Sequence, residues 1–256
     1  MPNPRAIVLS FDNLGEASEL ERGTWDHRVA LGHHESVTVA LPRLLDELDA
    51  LGLFATFFVE ALNCELYPRA LLEITSRGHE LGVHGWRHEA WAELSLERER
   101  DLLLRAGSAF ASLGLQTRAF RPPGGGSTVG TRSLLRELGY RWWSPAAGCE
   151  GQAGSPTMIP FDWELVDAYH LMEHFAQARV RRGDGEAPLA PVMVADRLCA
   201  DLAAGSGTQV LILHPFLMLD VRWWEGVRRV LALIARLSRE RQAWTGPGGE
   251  FMQAWM

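Results

Sequence analysis

Short apolar runs recur along the chain, each ending in a polar cluster and followed by a stretch whose apolar residues fall at helical spacing. "RAIVLSF" runs into "DNLGE". A helix is then predicted from about Ser36 to Leu51, with Leu41, Leu44, Leu45 and Leu48 on one face and Pro42 disturbing its start. "LFATFFV" is too apolar for a strand with a wet face. A helix opened by Pro68 and closed at Gly78 leads to "HELGV". Ser95 caps the next helix and "TRAF" returns; Thr131 caps "RSLLREL" and "YRWWS" follows. "TMIPF", the helix "PVMVADRLCADLAA", "QVLIL" and the helix "VRWWEGVRRVLALIARL" complete the pattern.

Apolar strand, polar loop and amphipathic helix repeat about seven times, the signature of α/β architecture. Strands buried on both faces in such number predict a distorted (β/α) barrel of about seven parallel strands, with an open doubly wound sheet as the alternative. "ARVRRGDGEAPLAP" interrupts without changing the pattern on either side, so residues 1–256 read as a single domain.

The formal charge of -7 argues against sequence-independent binding to nucleic acid or to an anionic membrane. All 25 basic residues are Arg and none is Lys, which excludes Schiff-base, pyridoxal-lysine and P-loop chemistry. Cys64, Cys149 and Cys199 are far apart and form no C-x-x-C, so they read as buried thiols. The apolar run before Asp12 is too brief for a signal peptide, and the expected location is the cytoplasm.

In parallel α/β folds the strand C-termini share one face, so residues just beyond the strands converge. By that rule Asp12, Asn13 and Glu16 should meet His84 and His88, then Arg121, Pro122, Pro123 and Gly124, then His214. The spacing of His84 and His88 suits two imidazoles on one divalent ion, although nine histidines can give such a pair by chance. A carboxylate at Asp12 needs a partner to offset desolvation, and Arg121 across the barrel mouth can provide it. The plainer alternative is a loop cap and a structural ion pair.

These segments resemble the polysaccharide deacetylase family, which includes the nodulation chitooligosaccharide deacetylases. "SFDN" is similar to the family's T-F-D-D, "HGWRH" to H-x-x-x-H, "RPPGG" to R-x-P-x-G and "LILH" to its closing L-x-H. "GHELGVHGWRHE", "MIPFDWELVDAYHLM" and "LILHPF" resemble a branch where peptidoglycan deacetylases sit beside allantoinase-like and cyclic imide amidases. The resemblance implies hydrolysis of a non-peptide C–N amide bond by metal-activated water. Asp12 would be the base, Arg121 its orienter, His214 the acid, and His84, His88 and Asn13 the ligands of a divalent metal, zinc first. Gly124 and Pro123 would line the oxyanion and substrate site, with Glu16, Trp163 and Asp167 as further substrate contacts.

One carboxylate of the family's metal set is missing, since Asn13 or Leu14 stands in its place. Asp12 or Glu16 could become the third ligand, metal could bind weakly, or the site could work without it. The expected substrate is a small or carbohydrate-like N-acyl compound and the expected assembly a homo-oligomer. A metal-free ring-opening amidohydrolase and a non-catalytic binding homologue are the alternatives.

Overall fold

The computed structural model describes residues 5–148 and 154–255. Cys149 lies outside them; Cys64 is buried and Cys199 half-buried, both as free thiols. The strands are β1 (Ala6–Asp12), β2 (Thr56–Val59), β3 (Glu80–Val83), β4 (Ala119–Phe120), β5 (Trp142–Trp143), β6 (Thr157–Met158), β7 (Thr208–Leu213) and β8 (Trp244–Gly246). They form one sheet in the order β6-β5-β4-β3-β2-β1-β7, with parallel pairings throughout. β8 also pairs parallel with β1, at its first three residues. Beyond β6 the chain makes a parallel bridge from Val166 to Ile212 of β7, which links the two ends of the curl. The result is a distorted (β/α) barrel in a single domain.

The helices are α1 (Ala17–Arg22), α2 (Leu41–Leu51), α3 (Asn63–Leu66), α4 (Pro68–Ser76), α5 (Leu96–Ser112), α6 (Thr131–Glu137), α7 (Asp167–Leu171), α8 (Ala176–Arg182), α9 (Pro191–Ala204), α10 (Val221–Arg239) and α11 (Gly248–Trp255). Successive strand side chains alternate between faces. Ile7, Leu9 and Phe11 of β1 therefore join Phe57, Val59, Leu211 and Leu213 in the cluster packed against Leu44, Leu48, Val227 and Val230 of the helices. Ala6 and Val8 point the other way, into an inner cluster with Phe58, Ala119, Trp142, Val210 and Ile212.

Three local expectations change. The helix expected from Ser36 begins as a π-helical stretch, Ser36–Ala40, and becomes regular only from Leu41; Pro42 has no N–H to donate back into the preceding turn. Thr131 is the first helical residue of α6 and not its cap: its hydroxyl donates to Glu99 Oε2 at 2.7 Å. The C-terminal β8 and α11 are additional, and α11 is tied to the barrel bottom where Gly249 N–H donates to Glu80 Oε2 at 3.0 Å. Ser95 does cap α5, accepting from the Arg98 N–H at 3.2 Å.

Candidate active site

The inner-face alternation continues past the strand ends and selects the site. Two residues beyond Phe58, Gly82, Ala119, Trp142 and Ile212 come Glu60, His84, Arg121, Ser144 and His214, while Ser10 and Asp12 continue β1's own inner row. All seven are buried.

Asp12 and Arg121 meet across the sheet. Arg121 Nη1 donates to Asp12 Oδ1 at 2.6 Å and to Ser10 Oγ at 2.9 Å, and Nη2 donates to Ser144 Oγ at 3.0 Å. The guanidinium lies 4.2 Å above the Phe58 ring. Burial pulls the Arg121 pKa down, and the Asp12 charge acts against that. Asp12 Oδ2 is left on the other side, 3.9 Å from His84 Nε2.

His84 and His88 are brought together by a turn with no helix in it. Gly85 adopts φ 75°, where a Cβ would meet Glu89 Oε2 at 2.6 Å and Pro123 Cγ at 3.1 Å. The Glu89 carboxylate accepts the N–H groups of Trp86 at 2.9 Å and Arg87 at 3.0 Å, folding the segment so that His88, itself at φ 76°, returns to His84. The two rings stand edge to face with centroids 4.9 Å apart. His84 Nδ1 lies 2.8 Å from the Arg121 carbonyl, which can only accept; Nδ1 therefore carries the proton and Nε2 keeps its lone pair. Burial drives the pKa of each imidazole down to about 3, so both are neutral at physiological pH.

His214 is backed by Asp167, the first residue of α7. Its Nδ1 lies 2.6 Å from Asp167 Oδ1 and its backbone N–H donates to Oδ2 at 2.9 Å. Burial disfavours an imidazolium here, but the charge and hydrogen bond of Asp167 outweigh it and the His214 pKa is raised.

Glu60, just beyond β2, is fully buried. Its Oε2 accepts the Leu14 N–H at 3.3 Å and Asn63 Nδ2–H at 3.4 Å, while Oε1 is buried without a partner. Burial drives its pKa up to about 8. One ligand atom from each of Glu60, His84 and His88 lies within 4.8 Å of the others. Neutral imidazoles, a Nε2 lone pair fixed by a hydrogen bond on Nδ1 and an unpartnered carboxylate oxygen are the donor chemistry a divalent ion requires.

A cavity of about 730 Å³ opens over this floor, lined by Asp12, Asn13, His84, His88, Arg121, Gly124 and His214. Trp163, Phe161, Phe175 and Phe216 form its apolar wall. Asn13, at φ 60°, has its Oδ1 buried without a partner. Glu16, expected at the substrate, lies elsewhere: Tyr67 donates to its Oε2 at 2.5 Å and the Gly32 N–H to its Oε1 at 2.7 Å, which anchors the long loop after β1. Pro122 lines the cavity in place of Pro123, whose ring packs at Gly85. Asp167 stands behind His214 and not on the cavity wall. Glu60 was missed, although it follows a strand as directly as His84 does.

A parallel barrel with carboxylate, guanidinium and imidazoles at the ends of its strands defines an α/β protein of hydrolase-like site chemistry. The profile of the polysaccharide deacetylase family matches residues 2–143, more than half of the sequence, and the chain belongs to that family. It is 26% identical over 136 residues to the peptidoglycan-N-acetylmuramic acid deacetylase PdaC of Bacillus subtilis, a match covering 53% of this chain and 25% of that protein. The chain thus spans about a quarter of that relative's length. A Mycobacterium smegmatis protein assigned by name to the polysaccharide deacetylases superimposes with a TM-score of 0.79 at 23% identity, covering 100% of this chain and 91% of that one. An allantoinase shares the fold with a TM-score of 0.73 at 16% identity, covering 98% and 89%. Among the described residues no helix is long and apolar enough to cross a membrane.

Proposed function

We propose that the protein is a metal-assisted hydrolase that removes an acyl group, acetyl first, from the nitrogen of an amino-sugar-like substrate. The observation that carries this reading is the convergence of Asp12, His84, His88, Arg121 and His214 on one cavity. The likeness to a peptidoglycan-N-acetylmuramic acid deacetylase supports the substrate class.

His84 and His88 would hold a divalent ion, with Glu60 within reach. Such an ion supplies polarisation of the scissile carbonyl and a lowered pKa for water. Asp12 takes the proton of the attacking water through Oδ2, because Arg121 occupies Oδ1 and prevents the carboxylate from rotating. The Gly124 N–H, in a left-handed turn at φ 69°, is the backbone donor for the developing oxyanion. His214 delivers a proton from Nε2 to the departing nitrogen, and Asp167 holds Nδ1 so that only Nε2 faces the reaction. Trp163 and Phe216 offer flat apolar surface for a sugar ring. At about 730 Å³ the cavity falls in the range for small-molecule sites, which favours a unit of one or two rings.

The test is incubation of zinc-loaded protein with N-acetylglucosamine, N-acetylmuramic acid and short chitin and peptidoglycan oligomers, with acetate and free amine measured separately. Equal release of both, abolished in His214→Asn, is expected. Ligand binding with no acetate would leave a non-catalytic homologue, and release that survives exhaustive chelation would leave a metal-free amidohydrolase.

A further inference from the structure

Glu60 has no part in the proton transfers above, yet it is a fully buried carboxylate beneath them. β1 and β2 pair in parallel with Asp12 opposite Phe58. Two residues further along each chain are Leu14 and Glu60, and the contact is kept there: the Leu14 N–H donates to Glu60 Oε2. The neighbouring strand has therefore placed a carboxylate beside residue 14, where β1's own exit loop carries asparagine and leucine.

The surroundings of that carboxylate do not satisfy it. Oε2 takes one backbone and one amide N–H, both at 3.3 Å or beyond, and Oε1 takes none. The guanidinium of Arg121, buried at the same strand ends, is already engaged by Asp12, Ser10 and Ser144. A buried carboxylate with an open oxygen calls for a cation or for another donor. One carboxylate oxygen of Glu60 and one ring nitrogen each of His84 and His88 lie within 4.8 Å of one another. Ligand atoms about 2.0–2.2 Å from one ion stand roughly 3.4 Å apart in a tetrahedron, a contraction within reach of side-chain rotation.

We infer that Glu60 is the anionic ligand of the metal centre, completing a Glu60–His84–His88 set in which the negative charge comes from β2 instead of the loop after β1. This rests on the metal-assisted reading above. It also leaves Asp12 free as base, since the centre draws its charge from a different strand.

The experiment is metal binding, not turnover. Wild-type, Glu60→Gln, His84→Ala and Glu80→Gln proteins are stripped, titrated with Zn²⁺ and, separately, with Co²⁺, and read by elemental analysis and by the visible bands of four-coordinate cobalt. Glu80 is the control, a half-buried carboxylate at the opposite end of the barrel. Wild-type and Glu80→Gln proteins should hold about one ion per chain. Glu60→Gln should bind at least about 100-fold more weakly, beyond the usual cost of losing a supporting contact, and His84→Ala should fail alike. Metal-free Glu60→Gln should melt no lower than metal-free wild type, which separates ligand loss from misfolding. If wild type and Glu60→Gln bind with equal affinity and equal cobalt spectra, the inference is overturned while the metal-assisted reading stands. If wild type binds no ion yet releases acetate, both fall.

Discussion

A carboxylate that is to take a proton from water must be held by one oxygen and free at the other. Asp12, which lines the cavity, has Oδ1 in the grip of Arg121 at 2.6 Å and Oδ2 3.9 Å from His84 Nε2. Asp12→Asn should lower turnover by about 10²- to 10⁴-fold while metal content stays near one ion, checked by rate and elemental analysis on the same sample. It should also destabilise the fold by about 3 kcal/mol in urea unfolding, because Arg121 is left buried without its counter-charge. For His214 the sign follows from its raised pKa: an acid works only while protonated, so activity is lost as pH rises through a pKa above the ordinary histidine value. Asp167→Asn removes the charge that raises it, and the alkaline limb of kcat/KM should move to lower pH. A limb that stays in place would assign it to another group. Asp12, His84, Arg121 and His214 were legible because each follows an apolar run directly. Glu60 obeys the same rule, but "FFVE" ends in a single charged residue with no recognisable spacing around it, and only the register of β2 against β1 reveals its place.

At the scale of elements, the site depends on strand positions that never touch it. Gly82 of β3 faces inward, where a Cβ would come within 2.5 Å of Phe58 Cδ1 and 3.1 Å of Ala119 Cβ. Phe58 is also the platform for Arg121, at 4.2 Å. Gly82→Ala should therefore cost about 1–3 kcal/mol in thermal or urea unfolding through overpacking. Activity should fall with it, as Arg121 loses its seat; full activity in a destabilised variant would show that the guanidinium is held by Ser10 and Ser144 alone. Periodicity located β1, β2, β7, α5, α9 and α10, where long apolar rows leave little choice. It failed where one residue's hydrogen-bonding decides the outcome, as at Thr131, whose hydroxyl serves Glu99 and does not cap α6, and where a short edge element such as β8 gains its stability by pairing with β1 rather than from its own sequence.

For the whole molecule, the proposed ion would connect the exits of β2 and β3 through Glu60, His84 and His88, beside the links that Arg121 already makes to Asp12, Ser10 and Ser144. Its binding then counts as folding energy: at a free concentration 100 times Kd, a ligand that binds only the native state adds about 2.7 kcal/mol. For a chain of 256 residues, a change of that size moves the melting midpoint by about 5–10 °C, at about 2–4 °C per kcal/mol. Chelator-stripped protein should melt lower by that amount, and stoichiometric zinc followed by a modest excess should restore the midpoint. The same zinc should leave His84→Ala unmoved, because its response depends on the site and not on ions scattered over an acidic surface. A shift of equal size in His84→Ala would place the stabilising ion elsewhere. Because β2 and β3 pair directly and Arg121 hydrogen-bonds His84 from the end of β4, a real loss of the ion should be felt as one cooperative transition and not as fraying of a single loop.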